Sequence, residues 1–219
     1  MARNAGRYAA HGPEAEFEPG SGNRVLRNLI GIRSMREMAR AESRALLSAQ
    51  ERLVDSFSPD HRFVSDDVSD IHRTWLGTIY RWAGDYRSVN VAKGGFQFAA
   101  AREVPRLMRE FEQRELARYT PCRFPAEPQI ARALAVVHAE LVLIHPFREG
   151  NGRCARLLAL LMAFQAGLPP LDFSGWSGRG ERNYIAAVHA AVGSDYEPMV
   201  GLFSEVIRRS YDRFGRRGG

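Results

Sequence analysis

The sequence predicts a mostly α-helical domain interrupted by a single β-hairpin. Three observations carry that expectation. Apolar residues recur at helical spacing through one segment after another between Ser34 and Phe214. In one stretch alone, around Val89 to Phe98, the period drops to two about a Gly-Gly pair. A chain of 219 residues with 45% apolar content can also build one core of its own, while no apolar run reaches the roughly 18 residues that span a bilayer.

Residues 1–18, rich in Gly, Ala and Glu, read as a flexible arm ahead of a domain over 19–214, and 215–219 read as a short basic tail. The first helix is expected from Ser34, a suitable N-cap with Glu37 three residues on, and its stripe runs through Met35, Met38, Ala41, Ala45, Leu46, Ala49 and Leu53. The second puts Val68, Ile71, Trp75, Ile79 and Trp82 on one face and stops at Gly84. Val89 and Val91 then alternate towards Gly94-Gly95, and Phe96 and Phe98 resume beyond it, which is a short hairpin. A lone hairpin is barely stable and offers an unpaired edge, so it must lean on helices or receive a visitor. Helical patterns follow in "REVPRLMREFEQRELARY", "EPQIARALAVVHAELVLI" and "NGRCARLLALLMAFQAG", the last stopped by Gly167 and Pro169-Pro170. Two more occupy "ERNYIAAVHAAVG" and "YEPMVGLFSEVIRRSYDRFG".

The net charge of +6 comes almost wholly from arginine, Lys93 being the single lysine. The arginines are interspersed with Asp and Glu except in the terminal "RFGRRGG", which is the pattern of a solvated surface and argues against nucleic-acid binding. The N-terminus lacks an apolar signal core, and Glu14 and Glu16 do not suit a transit peptide, so the expected location is cytoplasmic and away from membranes. Cys122 and Cys154 are expected to be free thiols. His11, His61, His72 and His189 have no companions at metal-ligand spacing, and His138 is expected to be a packed or surface histidine.

The chemistry concentrates in "IHPFREGNGRCAR", residues 144–156. A helix with Leu134, Val137, Leu141 and Ile144 on its apolar face breaks at Pro146, and another begins near Asn151. Gly150 and Gly152 remove side chains where something must approach the backbone, while the next helix opens with unpaired N–H groups, which together make an anion socket. Arg153 and Arg156 stand three apart on one face, and two guanidiniums above a helix N-terminus suit a polyphosphate. Glu149 has the wrong sign for phosphate and the right one for a divalent cation, Mg²⁺ foremost. His145 is the natural general base, and Phe147 an apolar pin seating the turn in the core. There is no P-loop and no dinucleotide-binding glycine motif.

"HPFREGNGRCAR" resembles the Fic-domain signature His-x-Phe-x-Asp/Glu-Gly-Asn-Gly-Arg-x-x-Arg at every defined position. The likeness extends to "EPGSGNRVLRNLIGI", to "IHRTWLGTIYRWAGDYRSVNVAKGGFQF" as a helix plus flap, and to "DFSGWSGRGERNYIAAVHAA" closing a nucleotide site. The resemblance implies a Fic domain that transfers AMP from ATP to a Ser, Thr or Tyr hydroxyl of a target protein. It makes His145 the base and Glu149 the Mg²⁺ ligand. Gly150, Asn151, Gly152, Arg153 and Arg156 would hold the phosphates, with Asn183 and Tyr184 bordering adenine. The flap residues Val91, Lys93, Gly94, Gly95 and Phe96 would dock the target's backbone as an added strand, Lys93 serving either as a contact or as a solvated edge charge. Many relatives have Asn near the position of Val142. The inhibitory pattern Ser/Thr-x-x-x-Glu-Gly/Asn is absent, its nearest approach at Ser177–Glu181 being followed by Arg182. The chain is then either constitutively active or a toxin restrained by a small antitoxin that supplies a glutamate to Arg156. A Fic-related phosphotransferase and a nucleotide-binding regulatory module without transfer are the alternatives.

Overall fold

The computed structural model describes residues 9–10 and 16–215, so most of the expected arm and the basic tail beyond Gly215 lie outside the described residues. Eight helices and a small sheet follow in chain order within the described residues. Helix α1, Met35–Ser56, is capped by Ser34, whose hydroxyl accepts from the Glu37 N–H. It buries Met38, Ala49 and Leu53, but also Glu42, which no apolar stripe anticipates; Met35, expected in that stripe, is exposed at the first turn. Helix α2, Ser65–Leu76, ends earlier than Gly84. Successive turns carry the chain on from Gly77 while keeping Ile79 and Tyr80 buried, and the Ile79 carbonyl is taken by the Leu29 N–H. Apolar spacing alone could not separate helix from tight turns there.

Strands β2, Val91–Lys93, and β3, Phe96–Gln97, form the hairpin about Gly94 and Gly95, both at positive φ as a two-residue hairpin turn requires. A short strand β1, Ala9–Ala10, pairs antiparallel with β2 in the register Ala9↔Ala92 and Ala10↔Val91, giving the order β1-β2-β3. The outer strands of the described sheet are therefore β1 and β3, and the hairpin's own outer edge is that of β3.

Beyond the hairpin, α3, Val104–Phe111, runs through a π-helical turn, Glu112–Leu116, into α4, Ala117–Tyr119. Helix α5, Glu127–Ile144, is apolar nearly all round, as a central helix must be. It packs against α6, Asn151–Gln165, and against α7, Glu181–Ala191, and α8, Glu197–Phe214. Helices α1 and α2 cover the far side of α6. The loop between α5 and α6 is thus held inside the core at the point where the two most buried helices meet. No described helix is long and apolar enough to cross a membrane.

Candidate active site

The α5–α6 loop is charged yet buried: His145, Arg148, Glu149 and Asn151 are all among the buried polar residues. Such groups must find partners, and here many are main-chain groups of the loop and of the end of α5. His145 ends α5 in the left-handed conformation, φ 54° and ψ 58°, which aims its side chain back over the helix end. Its Nδ1 lies 3.0 Å from the Val142 carbonyl, an acceptor only, so Nδ1 carries a proton and the neutral tautomer of this ring is the one with its lone pair on Nε2. Phe98, just past β3, stacks on the imidazole at 3.6 Å.

Two residues brace this arrangement. Arg87, 2% exposed, donates from Nε to the His145 carbonyl at 2.7 Å, and its guanidinium also reaches the carbonyls of Val89 and Ala99 at the two ends of the hairpin. His72, fully buried on α2, accepts the Gly84 N–H at Nδ1 and therefore donates from Nε2 to the Glu149 carbonyl at 3.0 Å. Burial lowers its pKa to about 4 and keeps it neutral, and its ring stacks on Phe147 at 3.9 Å. Sequence spacing could reveal neither role, because the partners are main-chain groups far along the chain.

Asn151 spends its side chain on Phe147, accepting the Phe147 N–H and donating to its carbonyl, both at 2.8 Å. Its contribution to an anion socket is left to its backbone. Gly150 sits at φ +83°, and a Cβ there would come within 2.7 Å of the Trp75 ring, so the fold itself demands glycine. Gly152 differs. It lies in the first turn of α6, and a Cβ would meet only Tyr184 Oη, at an ordinary 3.7 Å. Glycine weakens a helix by about 0.5–1 kcal/mol relative to alanine, and the packing around this position does not require it.

Three residues of helix place the two arginines about 60° apart. Arg153 turns towards α1 and α2, 2.7 Å from Glu42 and 3.5 Å from Glu149, with its guanidinium 4.6 Å over the Trp75 ring. The charge of Arg156 bears on His138 and Tyr184. His138 is packed, as expected: it bonds Tyr184 Oη at 3.0 Å among Trp176 and Phe203. Tyr184 in turn stacks on Trp176, and the Asn183 beside it is exposed. In the hairpin Val91 is buried, Lys93 is exposed, and Phe96 stacks on His189 of α7, closing the sheet against that helix. A cavity of about 150 Å³ adjoins the loop, lined by the polar Glu42, Tyr80, Arg148, Glu149 and Arg153 and by apolar residues that include Val25, Leu26 and Met38. Both cysteines are free and buried, and burial pushes the Cys122 thiol up to about 12.

The pattern of the Fic/DOC family matches residues 62–163. Among curated proteins the chain is 31% identical over 190 residues to protein adenylyltransferase VbhT of Bartonella schoenbuchensis, covering 87% of this chain and 38% of that protein. It is 33% identical over 159 residues to protein adenylyltransferase fic-1 of Caenorhabditis elegans, covering 72% and 30% respectively. The chain therefore spans about a third of the length of these relatives. Among solved structures, the N-terminal Fic domain of a putative cell filamentation protein from Bartonella quintana superposes with a TM-score of 0.68 at 25% identity, covering 83% of this chain and 87% of that one. BepC of Bartonella tribocorum, solved with bound AMPPNP, shares the fold with a TM-score of 0.67 at 22% identity over 83% of this chain and 91% of that one.

Proposed function

The chain is a Fic-domain protein, and from that premise we propose that it is a protein adenylyltransferase moving AMP from ATP onto a Ser, Thr or Tyr hydroxyl of a target protein. The observation that supports this reading is the tautomer of His145: with Nδ1–H on the Val142 carbonyl, the lone pair of the neutral ring falls on Nε2, one loop away from the N-terminus of α6. In the reaction Nε2 takes the proton of the target hydroxyl. The resulting oxygen forms a bond to the α-phosphorus of ATP, and the bond from that phosphorus to the bridging oxygen breaks to release pyrophosphate. In this reading the backbone N–H groups opening α6 hold the phosphates against Gly152, Arg156 stabilises the negative charge that develops on the leaving group, and Tyr184 and Asn183 border the base.

Among the described residues no cluster of three or more His, Cys, Asp or Glu could hold a metal ion. A lone carboxylate, Glu149, fits a cation that arrives with the nucleotide and keeps most of its waters, as Mg²⁺ does. Bound there, Mg²⁺ would supply neutralisation of phosphate charge. The flap is the reading's docking element for the target, through the β3 edge and Phe96. Regulation we read as external: no inhibitory Ser/Thr-x-x-x-Glu-Gly/Asn pattern occurs in these residues, which supports a toxin restrained by a small antitoxin whose glutamate pairs with Arg156.

Incubation with cell lysate and ATP labelled at the α- or the γ-phosphate tests the proposal. Label should enter a protein band from the α-position and disappear with His145→Ala. Transfer from the γ-position would make the chain a phosphotransferase instead.

A further inference from the structure

Glu42 is the one buried carboxylate of α1, and its surroundings are unusually specific. Its Oε2 lies 2.7 Å from Arg153 Nη1, its Oε1 accepts the Tyr80 hydroxyl at 2.7 Å, and its carbonyl accepts Trp75 Nε1 at 3.0 Å. The Trp75 ring forms the floor under the same guanidinium. Burial and the neighbouring Glu42 charge push the Tyr80 phenol well above its ordinary range, so it stays a neutral donor. Glu42, Trp75 and Tyr80 therefore form a seat for Arg153, 111 residues away in sequence from the carboxylate that receives it.

Arg153 is also 3.5 Å from Glu149, the loop carboxylate. Two carboxylates thus compete for one guanidinium, and the three side chains are only 9%, 16% and 10% exposed for Glu42, Arg153 and Glu149, so solvent screens them weakly. The nearer partner takes the larger share of the attraction. With Glu42 in place Arg153 is paired chiefly on the α1 side, while Glu149 Oε1 takes the Gly150 N–H at 2.9 Å. Without Glu42, Arg153 would pair more strongly with Glu149.

We propose that Glu42 is a positioning residue that draws Arg153 onto α1 and so weakens its pairing with Glu149, the carboxylate that faces the divalent cation accompanying ATP. The inference rests on the nucleotide-binding reading above and deepens it by giving Arg153 a role in setting the charge of the metal-facing acid.

The test is binding, measured by titration calorimetry on the full chain carrying His145→Ala, with ATP in EDTA and with ATP plus Mn²⁺, whose occupancy is followed in parallel by electron paramagnetic resonance. Adding Glu42→Gln should leave ATP affinity in EDTA unchanged or tighter, since a net positive charge is gained. It should reduce the gain in affinity brought by Mn²⁺ by roughly five- to tenfold. Adding Arg153→Gln to that protein should restore the Mn²⁺ gain to within about twofold of the parent, because the competing cation is gone. Arg153→Gln without the Glu42 change gives the same comparison should the first variant fold poorly, and it should retain the Mn²⁺ gain. A merely structural pair would instead weaken both affinities together, and the second substitution would worsen the first. An unchanged Mn²⁺ gain in Glu42→Gln, or no recovery in the double variant, overturns the inference alone; failure of the His145→Ala parent to bind ATP in either buffer overturns the functional reading together with it.

Discussion

Arg87 Nε donates to the carbonyl oxygen of His145 at 2.7 Å, and the same buried guanidinium holds the carbonyls of Val89 and Ala99. A single fork-shaped cation thus fixes the end of α5 and both feet of the flap. It also places a positive charge at the helix C-terminus, where the macrodipole favours one.

Arg87→Met should therefore destabilise the protein by about 3 kcal/mol, since several buried carbonyls lose a charged donor at once. Arg87→Lys should recover only part, having one ammonium for a divergent set of acceptors. Urea unfolding midpoints report the loss. In Arg87→Lys, α-phosphate label transfer should fall more than ATP affinity does, because the base and the flap lose their common anchor while the α6 N-terminus stays intact.

The two loop glycines should separate fold from function. Gly150→Ala meets the Trp75 ring and a positive φ together, and should cost about 2 kcal/mol or more of stability. Gly152→Ala should be neutral or stabilising by about 0.5 kcal/mol, yet weaken ATP binding at least tenfold by filling the space against the backbone. Thermal unfolding and calorimetric titration of the two variants check this pair; a Gly152→Ala protein with unimpaired ATP affinity would remove the ligand-based reason for that glycine.

Stability should fall on mild acidification. Burial holds His72 at a pKa of about 4 and His138 at about 3, against 6.5 unfolded. The unfolded chain then binds more protons wherever the pH lies between those values, so unfolding free energy rises with pH through that window and is lost as pH drops below 6.5. Each imidazole should contribute about 1.5 kcal/mol of loss between pH 6.5 and 5. Denaturant titrations across that range measure the slope, and His138→Phe, which cannot be protonated, should make it shallower.

Phe98 covers one face of the His145 ring. Phe98→Ala should accelerate carbethoxylation of His145 by diethyl pyrocarbonate, read by mass spectrometry, with little change in secondary structure. An unchanged rate would mean that the stacked ring is not what limits access to the imidazole.

The helices, the hairpin and the loop were legible because each has a local signature: apolar spacing, a Gly-Gly turn, a break at Pro146 followed by Gly-Asn-Gly. The bracing residues were not. Arg87 and His72 act on main-chain carbonyls 58 and 77 positions away, and nothing in their immediate neighbours marks that. Glu42 did leave a signal, since it falls between Met38 and Ala49 on the buried face of α1 and a carboxylate in such a stripe demands a partner. The spacing of Arg153 and Arg156 sets the angle between them without saying that Glu42 and Trp75 receive the first and that the second bears on His138 and Tyr184. The end of α2 was misplaced because turns can bury the same residues a helix would.

The three-stranded order of the sheet has a practical outcome for any polypeptide that seeks to join it. With Ala9–Ala10 alongside Val91 and Ala92, the hairpin's first strand is already sandwiched, and the outer rung consists of Phe96 and Gln97 alone. So brief a ladder could clasp a guest's main chain while reading little of its sequence; under the proposed docking, discrimination between guests would come from side chains that reach past the rung towards Phe96 and the His189 ring stacked on it.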